Sequence, residues 1–298
     1  MGEAAALISA LCWAGASVAM ARLSVRYGGA MLTGLRFLIA SPLVIVLAYA
    51  TGELGQITHA SPWVVLAMVA SAGIGYGLGD TTYIRAMPRI GLQRMSPTVT
   101  ALWVAISAVG GVFVLNEPLG WDLVVGGGLV IAGTYLIVAG QAKSVPDPTG
   151  PSRLGPLPTA AVLIGVAACW AAATLLLAGG RGGLGAIAVG ALRIPAGGVI
   201  ISLFALAASR GEVLRRLPSA KDMPLVITLG IGGTAVGSLL YIYAVAESGA
   251  ARAVILTSTS PLMVVPLSMI FLGERPTARI GFGTVLCLAG TLAVVAGG

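Results

Sequence analysis

The sequence predicts an all-α integral membrane protein of ten transmembrane helices, arranged as two inverted five-helix repeats around a central cavity. Three observations predict this fold class: the low charge, the recurring apolar runs and an internal duplication. Of the 298 residues, 57% are hydrophobic and only 9% are charged, and the mean hydropathy is +0.99. Because a soluble protein needs far more charge to cover its surface, we expect the lipid bilayer to surround this chain.

Ten apolar segments are long enough for a helix that crosses the bilayer, which takes roughly 20 residues. The predicted helices span about 4–21, 30–50, 63–87, 94–115, 121–140, 158–178, 184–208, 223–246, 252–272 and 277–297. The first has no basic start, so we interpret it as a retained helix and not as a signal peptide. A stretch rich in proline and glycine, 144–157, predicts a linker between a first repeat at 1–143 and a second at 158–298.

Short motifs recur in the two halves at an offset of 157 or 158 residues. The recurring elements are Cys12-Trp13 and Cys169-Trp170, Leu35-Arg36 and Leu192-Arg193, Tyr83-Ile84 and Tyr241-Ile242, and Glu117 and Glu274. An ordered series at nearly constant offset indicates a duplication. Because each half carries an odd number of helices, the second half must enter the bilayer from the opposite side, which makes the repeats inverted.

Basic residues concentrate on one predicted face of the membrane. The loops of that face hold thirteen lysines and arginines, whereas the other face holds only Arg181 and Arg252. Loops rich in lysine and arginine stay in the cytoplasm, so the sequence predicts both termini outside, in a multi-pass protein of the plasma (inner) membrane. The same asymmetry accounts for the net charge of +7, and we therefore expect no nucleic-acid partner.

Two arginines, Arg36 and Arg193, fall inside predicted helices at equivalent positions of the repeats. A charge in the hydrocarbon is costly unless it is paired or wetted. Asp80 in the third helix lies at a similar depth to Arg36, which predicts a pair that serves either as a structural ion pair or as a proton site. The position equivalent to Asp80 holds Ser238. Arg193 thus lacks a matching carboxylate, and it either binds a substrate carboxylate or bonds helix carbonyls near the interface.

A polar stripe runs along the third predicted helix. Tyr76, Asp80 and Tyr83 are spaced i, i+4, i+7 and therefore share one face. The equivalent residues of the eighth helix are Thr234, Ser238 and Tyr241. Because lipid disfavours polar groups, such stripes face a bundle interior or a wet cavity. We predict substrate binding by these side chains, with interhelical hydrogen bonding as the alternative.

Three tryptophans, Trp13, Trp103 and Trp170, lie near the middle of predicted helices, away from the interfacial belts where tryptophan is expected. Aromatic faces in a cavity hold apolar or cationic parts of a ligand, so we predict that they bind substrate. Ordinary core packing is the alternative.

Prolines interrupt two predicted helices. Pro97 lies near the start of the fourth helix, and Pro261 and Pro266 lie in the ninth, next to the polar run 257–260 that contains Ser258. Prolines free backbone carbonyls inside the membrane, which hydroxyl side chains can bond again. We predict helix breaks at the three prolines and substrate binding by Ser258, with simple kinks as the alternative.

Several classes of function have no motif here. The sequence has no phosphate-binding loop, and the GIGGTA stretch at 230–235 fits a dinucleotide turn but has no preceding strand. The single histidine, His59, falls in a loop, and the acidic residues are scattered, so we predict no metal site and no cofactor. An enzyme acting on membrane lipid would need clustered acids or histidines at one membrane face, and we predict that the chain is not an enzyme.

The duplicated motifs resemble those of the EamA-type, ten-helix branch of the drug/metabolite transporter superfamily. The elements are Cys12-Trp13, Leu35-Arg36-Phe37, Leu115-Asn116-Glu117-Pro118 and their second-half equivalents, and the resemblance covers essentially the whole chain. It implies a plasma-membrane carrier, in bacteria often an exporter of amino acids or other small amphipathic metabolites. Small four-helix relatives place a proton-binding glutamate in their first helix. This chain has none between Ala4 and Met20, which argues against proton antiport by that route.

The expected function is secondary transport, as an exporter or facilitator, of small amphipathic metabolites by alternating access. Amino acids, including aromatic ones, are the favoured small-molecule substrates. A multidrug or lipid-intermediate carrier of the same superfamily and an integral-membrane lipid enzyme are the alternatives. We expect a monomer, with a homodimer as the alternative. Glu117 and Glu274 are expected to tie loops or helix N-termini together.

Overall fold

The structure is a computed structural model that describes residues 1–27, 29–90, 92–141, 155–209, 217–272 and 277–297. Every regular element in these residues is helical, which confirms the predicted all-α class. The long helices are α1 (Gly2–Tyr27), α2 (Gly29–Ala50), α3 (Pro62–Ala72, Gly73–Asp80 and Thr81–Ile90), α4 (Leu92–Leu115), α5 (Trp121–Gln141), α6 (Pro156–Gly180), α7 (Ala186–Ser209), α8 (Met223–Thr228, Leu229–Val236 and Gly237–Ser248), α9 (Ala250–Thr257 and Ser260–Leu272) and α10 (Ala278–Ala296).

Length and composition allow most of these helices to cross a membrane. Within the described residues, nine helical segments, one in each of α2 to α10, meet that requirement, and the described apolar part of α1, Gly2–Ala16, is shorter. A short helix, Leu54–His59, lies between α2 and α3 where the sequence predicted a loop. Most of the predicted linker 144–157, as well as Glu274, lies outside the described residues.

Helices α3 and α8 each widen into a π-helical stretch of eight residues at their centre. The stretches are Gly73–Asp80, sequence GIGYGLGD, and Leu229–Val236, sequence LGIGGTAV. They occupy nearly equivalent places in the two repeats. Widened π-helical turns inside α-helices are frequent at functional sites. The sequence predicted continuous helices over 63–87 and 223–246, and the glycine-rich runs at matching positions mark where they widen.

The prolines do not all act as predicted. Helix α9 ends its first segment at Thr257 and resumes at Ser260, so the break lies just before Pro261. Pro266 lies inside the second segment, and α4 continues through position 97. The predicted breaks at Pro97 and Pro266 are therefore wrong. A proline removes one backbone donor, and a membrane helix can continue past it when neighbouring groups satisfy the freed carbonyl.

The helices pack in pairs that respect the internal duplication. Helix α5 packs on α10 and α2 packs on α7, which joins equivalent helices of the two halves. Helix α1 packs on α8, and its counterpart α6 packs on α3; likewise α1 contacts α9 and α6 contacts α4. Each of these contacts between unlike helices has an equivalent contact after the halves are exchanged. This arrangement is what an inverted repeat produces, and it puts α1, α3, α6 and α8 at the centre.

Apolar side chains cover the outside of the bundle. Tyr49, Phe113, Leu203, Phe282 and Leu292 are all more than half exposed to the surroundings. Water would not favour so many large exposed apolar groups, whereas a lipid surface would. Trp63 and Trp121, also exposed, stand at the first turns of α3 and α5, where interfacial tryptophans are expected.

Candidate functional site

Five aromatic side chains meet where the two halves of the bundle join. The ring centroids of Trp13 and Tyr241 are 5.4 Å apart, and those of Tyr83 and Trp170 are also 5.4 Å apart. Trp103 connects the two pairs, at 5.9 Å from Trp170 and 6.3 Å from Tyr241. We name these five residues the aromatic cluster. All five were singled out from the sequence, and they come from α1, α3, α4, α6 and α8.

Asp80 lies beside the aromatic cluster and contacts both halves. Its Oδ1 accepts a hydrogen bond of 2.9 Å from the indole nitrogen of Trp170 in α6. Its Oδ2 lies 3.7 Å from Arg36 Nη2 in α2. The side chains of Arg36 and Asp80 are 23% and 19% exposed, so the pair is largely shielded. The structure thus brings together the two charges that the sequence matched by depth, and it adds a tryptophan that the sequence did not connect to them.

Arg193 is the buried counterpart of Arg36, at 2% exposure. Its guanidinium carbon lies 5.2 Å from the centroid of the Tyr76 ring, which in turn packs 4.6 Å from Phe37. Among the described residues, no hydrogen-bond partner reaches its Nε or Nη1 atoms. Leaving a buried charged donor unpaired is costly, so two of its three nitrogens are available to a further acceptor.

Tyr241 links Arg193 to the aromatic cluster. Its hydroxyl lies 2.8 Å from Thr174 Oγ1, and the hydroxyl is close enough to Arg193 for the arginine charge to act on it. Thr174 in turn donates to the Trp170 carbonyl, 3.0 Å away, one turn earlier in α6. Thr174 was missed in the sequence, although it follows Trp170 by four residues and therefore shares its face. Ser238, the counterpart of Asp80, is buried in α8.

Two glycines let the tryptophans reach these positions. A methyl group added at Gly79 would lie 2.7 Å from Trp170 Cδ1, and one added at Gly237 would lie 2.9 Å from Trp13 Cδ1. Gly79 and Gly237 are equivalent in the repeats, as are the two tryptophans. The tryptophan of each half therefore rests on the glycine of the other half. The duplicated Cys-Trp motif predicted symmetry, but only the fold shows that the contacts are exchanged between halves.

Ser258 belongs to the break in α9. Its hydroxyl donates to the carbonyl of Ile255, 2.7 Å away, and its own carbonyl accepts from Thr134 at 3.4 Å. Thr257 and Thr259 bond earlier carbonyls of α9 in the same way. These hydroxyls satisfy backbone carbonyls at the break, as proposed for the polar run from the sequence.

Carboxylates tie together the end of the bundle at which the two termini lie. Glu117 accepts from the backbone nitrogens of Ala250 and Ala251, at 2.5 and 3.0 Å, and thereby caps the N-terminus of α9. Asn116, which precedes it, has a φ of 56° that turns the chain toward α9. Arg252 donates to Glu3 and Asp122, both at 2.8 Å. The helix-tying role expected for Glu117 is thus observed.

A surface cavity of about 510 Å³ lies away from the aromatic cluster. Residues of the short helix Leu54–His59 and of the segment 182–185 between α6 and α7 line it. It is open to the surroundings and contains none of the predicted site residues. Within the described ranges, no group of histidine, cysteine or acidic side chains has the arrangement of a metal site.

Comparison with known proteins identifies the family and the fold of the chain. The model of the EamA-like transporter family matches residues 1–139 and 157–296. A solved structure described only as "Crystal structure of protein" superposes with a TM-score of 0.75 at 17% identity, covering 99% of this chain and 97% of that one. That similarity concerns the fold alone, and no curated protein matches the chain. With both repeats matched by the family model, the chain belongs to the EamA-like transporter family.

Proposed function

We propose that this protein is a secondary transporter that carries small amphipathic metabolites, aromatic amino acids above all, across the plasma membrane by alternating access. The observation that carries this proposal is the aromatic cluster together with Arg193 at the junction of the halves. A site that combines aromatic walls with a few convergent polar groups is typical of small-molecule binding. The membership of a transporter family supports the same conclusion.

Alternating access is supported by the origin of the cluster residues. Trp13, Tyr83 and Trp103 belong to the first half, and Trp170 and Tyr241 belong to the second. A rocking motion of one half against the other would open and rebuild contacts such as that between Asp80 and Trp170. The glycine-rich π-helical stretches of α3 and α8 lie beside these contacts and provide places where the helices can bend.

The loop charges support an orientation with both termini outside. Plasma-membrane location, outward transport and the monomeric state are parts of the proposal.

A second candidate is a carrier of cationic drugs in the same superfamily. Five clustered aromatic rings favour it, because a cation is attracted to aromatic faces. The adjacent Arg193 disfavours it, because a like charge would repel the cation.

Counterflow in liposomes tests the proposal. Purified protein is reconstituted and loaded with an unlabelled amino acid, and uptake of the labelled form is followed with and without a pH gradient. We expect saturable counterflow of phenylalanine or tryptophan that protein-free liposomes lack. Counterflow of a quaternary ammonium dye alone would replace this proposal with the second candidate. Folded protein that moves neither would contradict transport of both classes.

A further inference from the structure

We infer that the preferred solute is an aromatic monocarboxylate, with its carboxylate at Arg193 and its ring in the aromatic cluster. An amino group is then dispensable, and an aromatic amino acid binds through the carboxylate and the ring that it shares with this class. This inference rests on the proposed transport function and deepens it by naming the charge of the solute.

The first argument is the charge balance of the interior. Arg36 has a carboxylate at 3.7 Å, whereas no acidic side chain pairs with Arg193 in the part of the chain that the structure describes. The residue equivalent to Asp80 is Ser238, and Glu247, further along α8, is exposed. Arg193 therefore leaves one positive charge uncompensated in a buried place. A solute with one negative charge would neutralise it, and an arginine can hold a carboxylate through two parallel hydrogen bonds.

The second argument is the kind of polar atom left unsatisfied. The buried side-chain atoms without a partner in the described ranges are Thr33 Oγ1, Arg36 Nε, Trp103 Nε1, Ser107 Oγ, and Arg193 Nε and Nη1. Four of these six atoms can only donate a hydrogen bond, and the two hydroxyls can donate as well. Trp103 and Ser107 are one helical turn apart in α4 and share a face. An interior that offers donors is complementary to a ligand rich in acceptors, which a carboxylate is and an ammonium is not.

The third argument is the shortage of acceptors for the ammonium group of an amino acid. Away from the helix ends, Asp80 is the acidic residue of the described spans, and it already binds Trp170 and faces Arg36. An ammonium group would have to compete with Arg36 for this carboxylate or rest on aromatic faces alone. A carboxylate at Arg193 has no such competitor. The ring of the solute would meanwhile lie in the aromatic cluster, where the Tyr241 and Trp103 ring centroids are 6.3 Å apart.

Four probes that differ in one group test the inference. They are 3-phenylpropionate, phenylalanine, phenylalaninamide and phenylethylamine, offered to the purified protein while tryptophan fluorescence and competition against labelled counterflow are measured. We expect 3-phenylpropionate to bind at least as tightly as phenylalanine. The two probes without a carboxylate should bind roughly tenfold or more weakly. Equal binding of all four, or preference for phenylethylamine, would overturn the inference.

The matched variants are Arg193→Gln and Arg85→Gln. Arg85 lies 4.1 Å from the Phe204 ring, away from the aromatic cluster, so its replacement removes an arginine without touching the site. Arg193→Gln should abolish the preference for 3-phenylpropionate over phenylethylamine, and Arg85→Gln should keep it. If Arg193→Gln does not fold, Arg193→Lys serves instead, because lysine keeps the charge and loses the bidentate geometry. It should keep the preference but weaken 3-phenylpropionate binding.

The outcomes separate this inference from the proposed function. Absence of counterflow for every probe, with folded protein confirmed, contradicts the proposed transport of aromatic metabolites. Counterflow that is unaffected by Arg193→Gln leaves transport standing and refutes the carboxylate site. Loss of carboxylate preference in Arg193→Gln with retained counterflow of phenylethylamine supports both.

Discussion

The first and second halves of the bundle each place an arginine at the equivalent position of their second helix, but they treat it differently. In the first half, Asp80 lies 3.7 Å from Arg36 and also accepts from Trp170. In the second half, Arg193 is more deeply buried and its Nε and Nη1 atoms lack described partners. The charge of Arg36 is therefore neutralised within the first half, whereas the charge of Arg193 in the second half is available to a ligand. One difference between the equivalent positions accounts for this contrast: position 80 holds an aspartate, whereas position 238 holds a serine.

Replacement of Asp80 should have the largest effect on this comparison. Asp80→Asn leaves Arg36 without a counter-ion and weakens the bond to Trp170, and loss of one partner of a shielded pair costs about 3 kcal/mol. We expect a clear fall in the melting temperature of the purified protein in detergent. Ser238→Ala, the matched change in the second half, should shift it by much less. Equal shifts would show that Arg36 does not depend on Asp80.

The two glycines that seat the tryptophans provide the next test. Gly79→Ala and Gly237→Ala each add a methyl group under 3 Å from an indole ring, and overpacking of this kind costs about 1–3 kcal/mol. Gly79→Ala should cost more, because displacing Trp170 also disturbs its hydrogen bond to Asp80. Thermal unfolding of the two variants measures the difference. A larger loss in Gly237→Ala would contradict this ranking.

Introducing a carboxylate into the second half should give Arg193 a counter-ion, as Arg36 has in the first half. Ser238→Asp places an acid at the position equivalent to Asp80, where it can pair with Arg193. We expect a folded protein whose affinity for 3-phenylpropionate falls about tenfold, which corresponds to roughly 1.4 kcal/mol. Competition against labelled counterflow measures the affinity, and Ser238→Asn is the uncharged control. An unchanged affinity in Ser238→Asp would show that an acid at position 238 does not pair with Arg193.

The carboxylate that caps α9 should have the smallest effect. Glu117→Gln keeps a hydrogen-bond acceptor near Ala250 and Ala251 but removes the charge at the helix N-terminus, which is worth about 0.5–1 kcal/mol. We expect a fall of a few degrees in melting temperature and no change in solute preference. Glu53→Gln is the matched control, because Glu53 also accepts a hydrogen bond at a helix N-terminus, from the backbone nitrogen of Ala188 near the start of α7. A change in solute preference in either variant would contradict a purely capping role.

Much of the candidate site was predictable because polar groups are so costly in lipid. A charge or a polar stripe within an apolar helix must face the interior, and this rule selected Arg36, Asp80, Tyr76 and Arg193. The mid-helix tryptophans followed from the same reasoning. Thr174 and the widened turns at Gly73–Asp80 were missed, since a single threonine and a glycine-rich run are common in membrane helices without such a role. The predicted breaks at Pro97 and Pro266 were wrong because neighbouring groups can satisfy the backbone carbonyls that a proline leaves unbonded.

The sequence by itself determined the class and the symmetry of this protein. Apolar length specifies helices that cross the bilayer, and two copies of five such helices must run in opposite directions. Only the tertiary structure decided which residues each tryptophan contacts. Trp13 of the first half packs on Gly237 of the second, and Trp170 of the second half packs on Gly79 of the first. Helix pairing between the halves depends on side-chain packing between segments far apart in the chain. The hydropathy of one segment does not depend on which helix packs against it, so it cannot predict that packing. The depth of a polar group in the membrane depends only on its position along its own helix, so the sequence predicts it.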